Sequence, residues 1–191
     1  EIVIQSNITM TQQVAFKYPC IIRGAGLDGA SVGSGSPKVR VTCPAGLTAF
    51  TYGVDVLPNV VFKDLYFSLS TASSSSGFFV DGFDTALGDG WSFTNCVFDG
   101  GKDIASFRFT ASLTAPQGWR WDNCVWKNAS HASPIPYILV GTSSNPATGF
   151  SWRNCRFLGD TANTNTQGIQ FDLSANEHLV EHCEFTMGGI N

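Results

Sequence analysis

Seven residues between positions 79 and 108 have the side chains that carbohydrate chemistry uses. They are Asp81, Asp84, Asp89, Asp103, Arg108, Phe79 and Phe83. A glycosidase needs two carboxylates, about 5 to 9.5 Å apart, that flank the bond to be cleaved. Aromatic rings stack against sugar faces, and an arginine donates hydrogen bonds to ligand oxygens. We therefore predict that the four aspartates are catalytic candidates and that the other three residues bind substrate.

The acidic stretch from position 81 to position 90 has two further interpretations. Its three aspartates could bind calcium, but calcium needs about six or more oxygen ligands and the spacing differs from that of an EF-hand loop. The stretch could also be a solvated turn, because Asp-Gly is a favoured turn sequence. Asp81 and Arg108 could equally form a surface ion pair worth less than about 1 kcal/mol. We predict no metal and no cofactor.

Cysteine is the second residue type with reactive side chains, and the chain has six of them. Cys96, Cys124, Cys155 and Cys183 occupy one position of a repeated segment. Equivalent residues on neighbouring strands lie about 4.8 Å apart with parallel side chains, whereas a disulfide needs converging Cβ atoms about 3.8 Å apart. We predict buried free thiols, which indicate folding in a reducing compartment such as a bacterial cytoplasm.

The repeated segment is eight residues long. It reads WSFTNCVF at 91–98, WRWDNCVW at 119–126, FSWRNCRF at 150–157 and, more loosely, HLVEHCEF at 178–185. An earlier copy, VVFKDLYF at 60–67, has leucine in place of cysteine. Equivalent positions are separated by 31, 28, 31 and 28 residues. A fixed period in this range indicates a repeat architecture.

Each copy alternates apolar and polar residues and then changes phase at the asparagine, which predicts strand, corner, strand. A further strand-like segment precedes each later copy, as in SFRF at 106–109 and YILV at 137–140. Three short strands in about thirty residues predict one turn of a parallel β-helix, which buries its apolar face only by stacking on its neighbours. We expect about seven turns and almost no α-helix. A β-sandwich would instead need antiparallel hairpins.

This arrangement assigns directions to some side chains. We expect Asp81, Arg108 and Asp172 to share one outward row on the strands that precede the repeated segments. We also expect Tyr66 and Tyr137 to face outward, together with the two phenylalanines of the acidic region. Most other aromatic residues fall on core positions.

The corner positions of the five copies are Asp64, Asn95, Asn123, Asn154 and His182. A row of asparagines at a corner, beside stacked like residues in the interior, resembles the right-handed parallel β-helix of the pectin-lyase-like superfamily, which includes bacteriophage tailspikes. The segment CIIRGAG at 20–26 resembles an early turn of those proteins. The resemblance implies an all-β, right-handed, single-stranded parallel β-helix over residues 1–191, one domain that we expect to be a piece of a longer or processed chain. The catalytic motifs of polygalacturonases and pectate lyases are absent, so no catalytic set is carried over.

Composition narrows the classes of partner. Charged residues make up 14% of the chain and the net charge is −4. No basic run is present, which argues against nucleic acid as a partner. No apolar stretch approaches 18 residues, so we expect no membrane partner.

Three functional hypotheses remain. The first is a domain of a phage tailspike or tail fibre, a homotrimer attached to other virion proteins, which either binds host surface polysaccharide or binds and depolymerises it. The second is a free polysaccharide lyase or hydrolase of the same superfamily. The third is a structural virion decoration or shaft protein with no ligand. The first predicts a location on the virion.

Overall fold

The computed structural model describes residues 1–16, 18–25, 39–44, 50–52, 59–69, 80–81, 90–101, 107–109, 117–129, 135–140, 148–159, 166–171 and 176–186. Within these ranges every regular element is a β-strand. No helix that could cross a membrane is found in the part of the chain described.

Twenty strands follow one another along the described ranges. The first ten are β1 (Ile2–Ile4), β2 (Ile8–Thr9), β3 (Val14–Phe16), β4 (Cys20–Gly24), β5 (Arg40–Cys43), β6 (Phe50–Tyr52), β7 (Val60–Lys63), β8 (Tyr66–Leu69), β9 (Val80–Asp81) and β10 (Ser92–Thr94). The second ten are β11 (Val97–Gly100), β12 (Phe107–Phe109), β13 (Arg120–Asp122), β14 (Val125–Lys127), β15 (Ile135–Val140), β16 (Ser151–Arg153), β17 (Arg156–Leu158), β18 (Thr166–Phe171), β19 (Leu179–Glu181) and β20 (Glu184–Thr186).

The chain visits three sheets in rotation. Sheet 1 has the order β1-β4-β7-β10-β13-β16-β19, and sheet 2 has the order β2-β5-β8-β11-β14-β17-β20. Sheet 3 has the order β18-β15-β12-β9-β6-β3. Neighbouring strands are parallel in every pair of these sheets. The all-β class and parallel pairing are therefore confirmed, and the arrangement is compatible with the stacked turns that the repeat predicts.

The corner between sheets 1 and 2 is formed by residues in the left-handed backbone region. Asp64, Asn95, Asn123, Asn154 and His182 have φ angles between 51° and 55°. Asparagine and aspartate tolerate this region better than most residues, because their short polar side chains bond locally. The Asn95 amide donates to Asp64 Oδ1 at 3.0 Å, and the Asn123 amide donates to Asn95 Oδ1 at 2.8 Å. The predicted corner row is confirmed, and side-chain bonds join its first three members.

Asn154 interrupts this row of side-chain bonds. Its amide donates to Asp122 Oδ1 at 3.2 Å instead of to Asn123. Its backbone N–H continues the pattern of the earlier corners by donating to the carbonyl of Glu181 at 3.0 Å. The corner therefore persists through backbone bonding where the amide ladder ends.

Like residues stack along the core of each sheet. In sheet 1 the rings of Phe62 and Phe93 are 5.0 Å apart, and those of Trp121 and Trp152 are 5.1 Å apart, both pairs almost parallel at 3°. In sheet 2 the row runs through Phe67, Phe98, Trp126, Phe157 and Phe185, with centroid separations of 4.5 to 5.5 Å. The strand spacing of about 4.8 Å is close to the separation that stacked rings prefer. The sheet register therefore produces the stacking.

The three sheets share one core. Phe107 of sheet 3 makes edge-to-face contacts with Phe93 of sheet 1 at 5.3 Å and with Phe98 of sheet 2 at 4.9 Å. Phe93 and Phe98 also contact each other at 5.7 Å. All three rings are completely buried. Aromatic contacts between the sheets therefore hold the described core together.

The repeated cysteines lie in this core as free thiols, as predicted. Cys96, Cys124 and Cys155 are fully buried, and Cys183 is partly buried. Each thiol donates to the carbonyl oxygen two residues earlier in the chain, at 3.2 to 3.4 Å. Burial raises the pKa of the Cys124 thiol well above its usual value, because an apolar core disfavours the thiolate.

Gly24 is required by the close approach of two strands. It ends β4, beside Asp64 at the corner. A Cβ atom on Gly24 would overlap the backbone carbonyl oxygen of Asp64. The glycines predicted to turn into sheet 1, Gly90, Gly118 and Gly149, have φ angles of 67° to 72°, where a side chain is strained.

Apolar side chains are exposed at both ends of the described stack. At one end Ile2 is 53% exposed and Ile8 is 40% exposed, beside an apolar cavity of about 310 Å³. At the other end Val180 is 42% exposed and Phe185 is 46% exposed. These residues occupy the first and last positions of the core rows.

Candidate functional site

The predicted acidic site falls mostly outside the described residues. Asp81 in β9 and Arg108 in β12 are register partners, so their backbones lie side by side as expected. Their side chains are not described. The remaining members of the predicted site, Asp84, Asp89, Asp103, Phe79 and Phe83, lie outside the described ranges.

The predicted outward row of sheet 3 needs a correction. Arg108 pairs with Leu139, and Leu139 pairs with Gln170. Gln170 therefore takes the register position that follows Asp81 and Arg108, and Asp172, which was expected there, lies outside the described residues. Because β15 and β18 are six residues long, the sequence alone did not reveal which of their residues align.

The two tyrosines that were expected to face outward lie in different surroundings. Tyr137 is buried in the main core, and its hydroxyl donates to the carbonyl of Leu158 at 2.8 Å. The prediction for Tyr137 was wrong because a backbone carbonyl accepts from its hydroxyl, which allows the ring to be buried. Tyr66 lies outside the main core, in a second cluster with Val97 and Val125. Only 6% of Tyr66 is exposed, so its ring offers no free face to a sugar.

A polar depression on sheet 2 brings charged and hydrogen-bonding side chains together among the described residues, and it is the candidate site. We call it the outer pocket, and its volume is about 480 Å³. It is lined by Arg40, Tyr66, Ser68, Leu69, Asp99, Gly100 and Asn128. The size is within the range of about 300 to 1,000 Å³ that is usual for small-molecule sites.

Sheet register brings these residues together from four successive strands. Arg40 in β5 pairs with Tyr66 in β8, and Ser68 in β8 pairs with Asp99 in β11. Asp99 in turn pairs with Lys127 in β14. Alternate residues of a strand face opposite sides, so Tyr66 and Ser68 lie on the outer face while Phe67 and Leu69 face the core. The pocket is thus a product of strand alternation and parallel pairing.

Tyr66 organises the side of the pocket that Arg40 occupies. The Arg40 guanidinium lies over the Tyr66 ring, 4.8 Å from its centroid. The Lys127 ammonium also lies near this ring, at 5.3 Å. Cations are attracted to the face of an aromatic ring. The backbone N–H of Arg40 donates to Asn7 Oδ1 at 2.8 Å, which ties β5 to the preceding segment.

Asp99 organises the opposite side. Its Oδ2 accepts a hydrogen bond from the Tyr66 hydroxyl and lies 3.7 Å from the Lys127 ammonium. Its Oδ1 accepts from the Asn128 amide at 2.8 Å. The side chain of Asp99 is 19% exposed. A carboxylate that accepts two hydrogen bonds and lies beside an ammonium is an oriented hydrogen-bond acceptor at the pocket wall.

Backbone geometry shapes the end of the pocket. Asn128 has a φ angle of 56°, and Gly100 has a φ angle of 99°. Both residues stand at the ends of strands in sheet 2, where the chain leaves the sheet. Asn128 uses this conformation to aim its amide back at Asp99, which belongs to the neighbouring strand.

The chemistry available in the outer pocket is polar recognition. It offers a guanidinium, an oriented carboxylate, an amide and the Ser68 hydroxyl. Groups of this kind hydrogen-bond to hydroxyl-rich ligands. No cluster of three or more potential metal ligands occurs among the described residues.

Sequence reasoning did not single out this pocket. Arg40, Tyr66 and Asp99 are separated by 26 and 33 residues along the chain, so only the strand register shows that they meet. One available signal was the outward phase of Tyr66 and Asp99 in equivalent copies of the repeat. The search for paired carboxylates drew attention to the aspartate-rich stretch instead.

No protein-family model, curated protein or solved structure matches this chain.

Proposed function

We propose that this chain is a right-handed parallel β-helix domain of the phage tailspike or tail-fibre kind that binds host surface polysaccharide. The observation that supports this proposal is the outer pocket, which presents Arg40, Asp99 and Asn128 on the outer face of a parallel sheet. The order of the three sheets is compatible with a β-helix, and the sequence resemblance to tailspikes supplies the handedness and the biological setting.

The pocket is suited to a sugar for two reasons. Its volume of about 480 Å³ lies within the usual range for small-ligand sites. Its carboxylate and amide are already oriented by the bond from Asn128 to Asp99, so little side-chain freedom is lost when a ligand hydroxyl binds. We place the pocket on the side of the β-helix, where a long polysaccharide could lie along successive turns.

Binding is better supported than cleavage at the outer pocket. The only carboxylate that lines this pocket among the described residues is Asp99. Both of its oxygens accept bonds from protein donors, and glycosidic cleavage would need a second carboxylate. Depolymerase activity remains part of the hypothesis for Asp81, Asp84, Asp89 and Asp103, where pairs of carboxylates could form.

A structural shaft is the second candidate, and one observation favours it. The core rows end in exposed apolar residues at both ends of the stack, including Ile2 and Phe185. Clustered exposed apolar residues mark sites of protein contact. We propose that these ends pack against further protein, either within a virion assembly or in a homotrimer.

The deciding experiment measures binding to purified bacterial surface polysaccharides by biolayer interferometry, with three variants. Asp99→Asn leaves an amide beside the Tyr66 hydroxyl and should weaken binding about tenfold, or about 1.4 kcal/mol. Glu184→Gln is the matched control, because Glu184 is exposed on the last strand of the same sheet. It should bind like the wild type.

The third variant, Asp81→Asn combined with Asp84→Asn, tests the acidic site. Loss of binding or of oligosaccharide release in this variant alone, with an unchanged melting temperature, would move the site to sheet 3. Wild-type protein that binds none of the polysaccharides would favour the structural candidate. Light scattering would then report whether the chain forms the trimer that we expect.

A further inference from the structure

The charge arrangement of the outer pocket points to a particular class of ligand. The described residues form four ion pairs, which use Arg23, Lys127, Arg153 and Arg156 as their cations. Arg40 belongs to none of these pairs in the described structure. It is an exposed guanidinium, held over a tyrosine ring at the edge of a polar pocket.

Asp99 does not supply the missing counter-charge. Its Oδ1 is occupied by the Asn128 amide, and its Oδ2 is occupied by the Tyr66 hydroxyl and the Lys127 ammonium. Asp99 is paired with the Lys127 ammonium, which lies outside the pocket lining, so Arg40 is the charged lining residue that has no ion-pair partner among the described residues. A guanidinium without a carboxylate partner favours an anionic ligand group.

The posture of Arg40 suits such a group. The attraction between cation and ring, with the guanidinium carbon 4.8 Å from the ring centroid, restrains the Arg40 head group at the pocket. A guanidinium is a planar fork that binds a carboxylate or phosphate through two parallel hydrogen bonds. The Tyr66 ring is itself fixed by its hydroxyl bond to Asp99, so the fork is positioned before a ligand arrives.

We propose that the outer pocket is an anion subsite, in which Arg40 receives the carboxylate or phosphate substituent of a charged sugar residue. This inference rests on the proposed function and names its ligand class. Asn128 and Ser68 bind the neutral hydroxyls of the same sugar residue. Tyr66 is a positioning residue, because it acts through Arg40 and Asp99.

The test uses Arg40→Gln, with Arg156→Gln as its matched control. Arg156 lies on the same outer row of sheet 2, which runs through Tyr66, Val97 and Val125. Unlike Arg40, it is paired, with its Nε 2.7 Å from Glu184 Oε2. Arg40→Lys is a third variant that keeps the charge but loses the planar fork.

The probes are four immobilised bacterial polysaccharides. They are a capsule that contains uronic acid, the same capsule after chemical reduction of its carboxyl groups, a phosphodiester-linked polymer and a neutral polymer. We expect Arg40→Gln to weaken binding to an anionic polymer by about 10- to 100-fold. Arg40→Lys should lose less, and Arg156→Gln should bind like the wild type. Added NaCl should weaken wild-type binding more than that of Arg40→Gln.

The outcomes distinguish failure of the anion subsite from failure of polysaccharide binding as a whole. Binding to the uronate capsule that is lost on carboxyl reduction identifies a carboxylate, and binding to the phosphodiester polymer alone identifies a phosphate. Equal wild-type binding to the reduced and unreduced capsules, unaffected by Arg40→Gln, overturns the anion subsite and leaves polysaccharide binding intact. Binding to none of the four polymers overturns both proposals. Circular dichroism melting of each variant shows whether a loss arises from unfolding.

Discussion

Substitutions at Asn123 can separate two contributions of the corner row to stability, the side-chain hydrogen bond and the left-handed backbone conformation. Its φ angle is 52°, and its amide donates to Asn95 Oδ1 at 2.8 Å. Asn123→Ala removes the hydrogen bond and places an ordinary side chain in the left-handed region. Asn123→Gly removes the same bond but leaves the backbone unstrained. The pair of variants therefore distinguishes side-chain bonding from backbone strain.

The magnitudes follow from these two terms. A lost hydrogen bond of this kind costs about 1 kcal/mol, and the left-handed conformation costs an alanine about 1–2 kcal/mol. We expect Asn123→Ala to lower the free energy of unfolding by about 2–3 kcal/mol. We expect Asn123→Gly to lower it by about 1 kcal/mol less than alanine does.

The assay is urea denaturation followed by circular dichroism, with Asn154 as the matched site. Asn154 has nearly the same φ angle, 51°, but it is exposed, and its amide makes the longer bond to Asp122 at 3.2 Å. Asn154→Ala should lose stability mainly through strain of the left-handed backbone, so it should destabilise the protein less than Asn123→Ala does. Asn154→Gly should be close to neutral.

Two results would refute this reasoning. If the alanine and glycine variants of Asn123 lose equal stability, the left-handed backbone is not a source of strain. If both Asn123 variants retain wild-type stability, the amide ladder contributes nothing to the stacking of the strands.

Three further predictions concern the thiols and the tightest strand contact. Denatured protein should show six reactive thiols without reductant, and native protein should react first at the partly buried Cys20 and Cys183. Two or fewer reactive thiols in the denatured protein would contradict the free-thiol core. Burial raises the pKa of Cys43 to about 12, above its unfolded-state value of about 8.5. The contribution of the protonated thiol to the free energy of unfolding is therefore complete below about pH 8.5. That contribution is lost as the pH rises towards 12, at about 1.4 kcal/mol per pH unit. Cys43→Ala should reduce that slope in alkaline urea titrations, and an unchanged slope would show that Cys43 does not cause it. Gly24→Ala should cost about 1–3 kcal/mol in the same urea assay, because the added methyl group overlaps the Asp64 carbonyl; wild-type stability would mean that the two strands separate easily.

Much of the fold could be predicted because a sequence repeat shows which residues of neighbouring strands are aligned. The spacing of the cysteines identifies equivalent positions, and equivalent positions in parallel strands must stack. For this reason the corner from Asp64 to His182 and the ring row from Phe67 to Phe185 were predicted residue by residue. The predictions weakened in sheet 3, where strand lengths vary and no repeated motif marks the alignment. The register position expected for Asp172 belongs to Gln170, and Tyr137 of this sheet was wrongly expected to face outward.

The sequence by itself determined the strand type, the period, the corner residues and the free state of the thiols, since each depends on local alternation or on repetition. Only the tertiary structure decided which outward residues share a pocket. Arg40, Tyr66 and Asp99 belong to three successive strands of sheet 2, and their meeting depends on side-chain directions across the stack. The cation over the Tyr66 ring and the two hydrogen-bond donors to Asp99 depend on distances between strands, and sequence spacing carries no information about those distances.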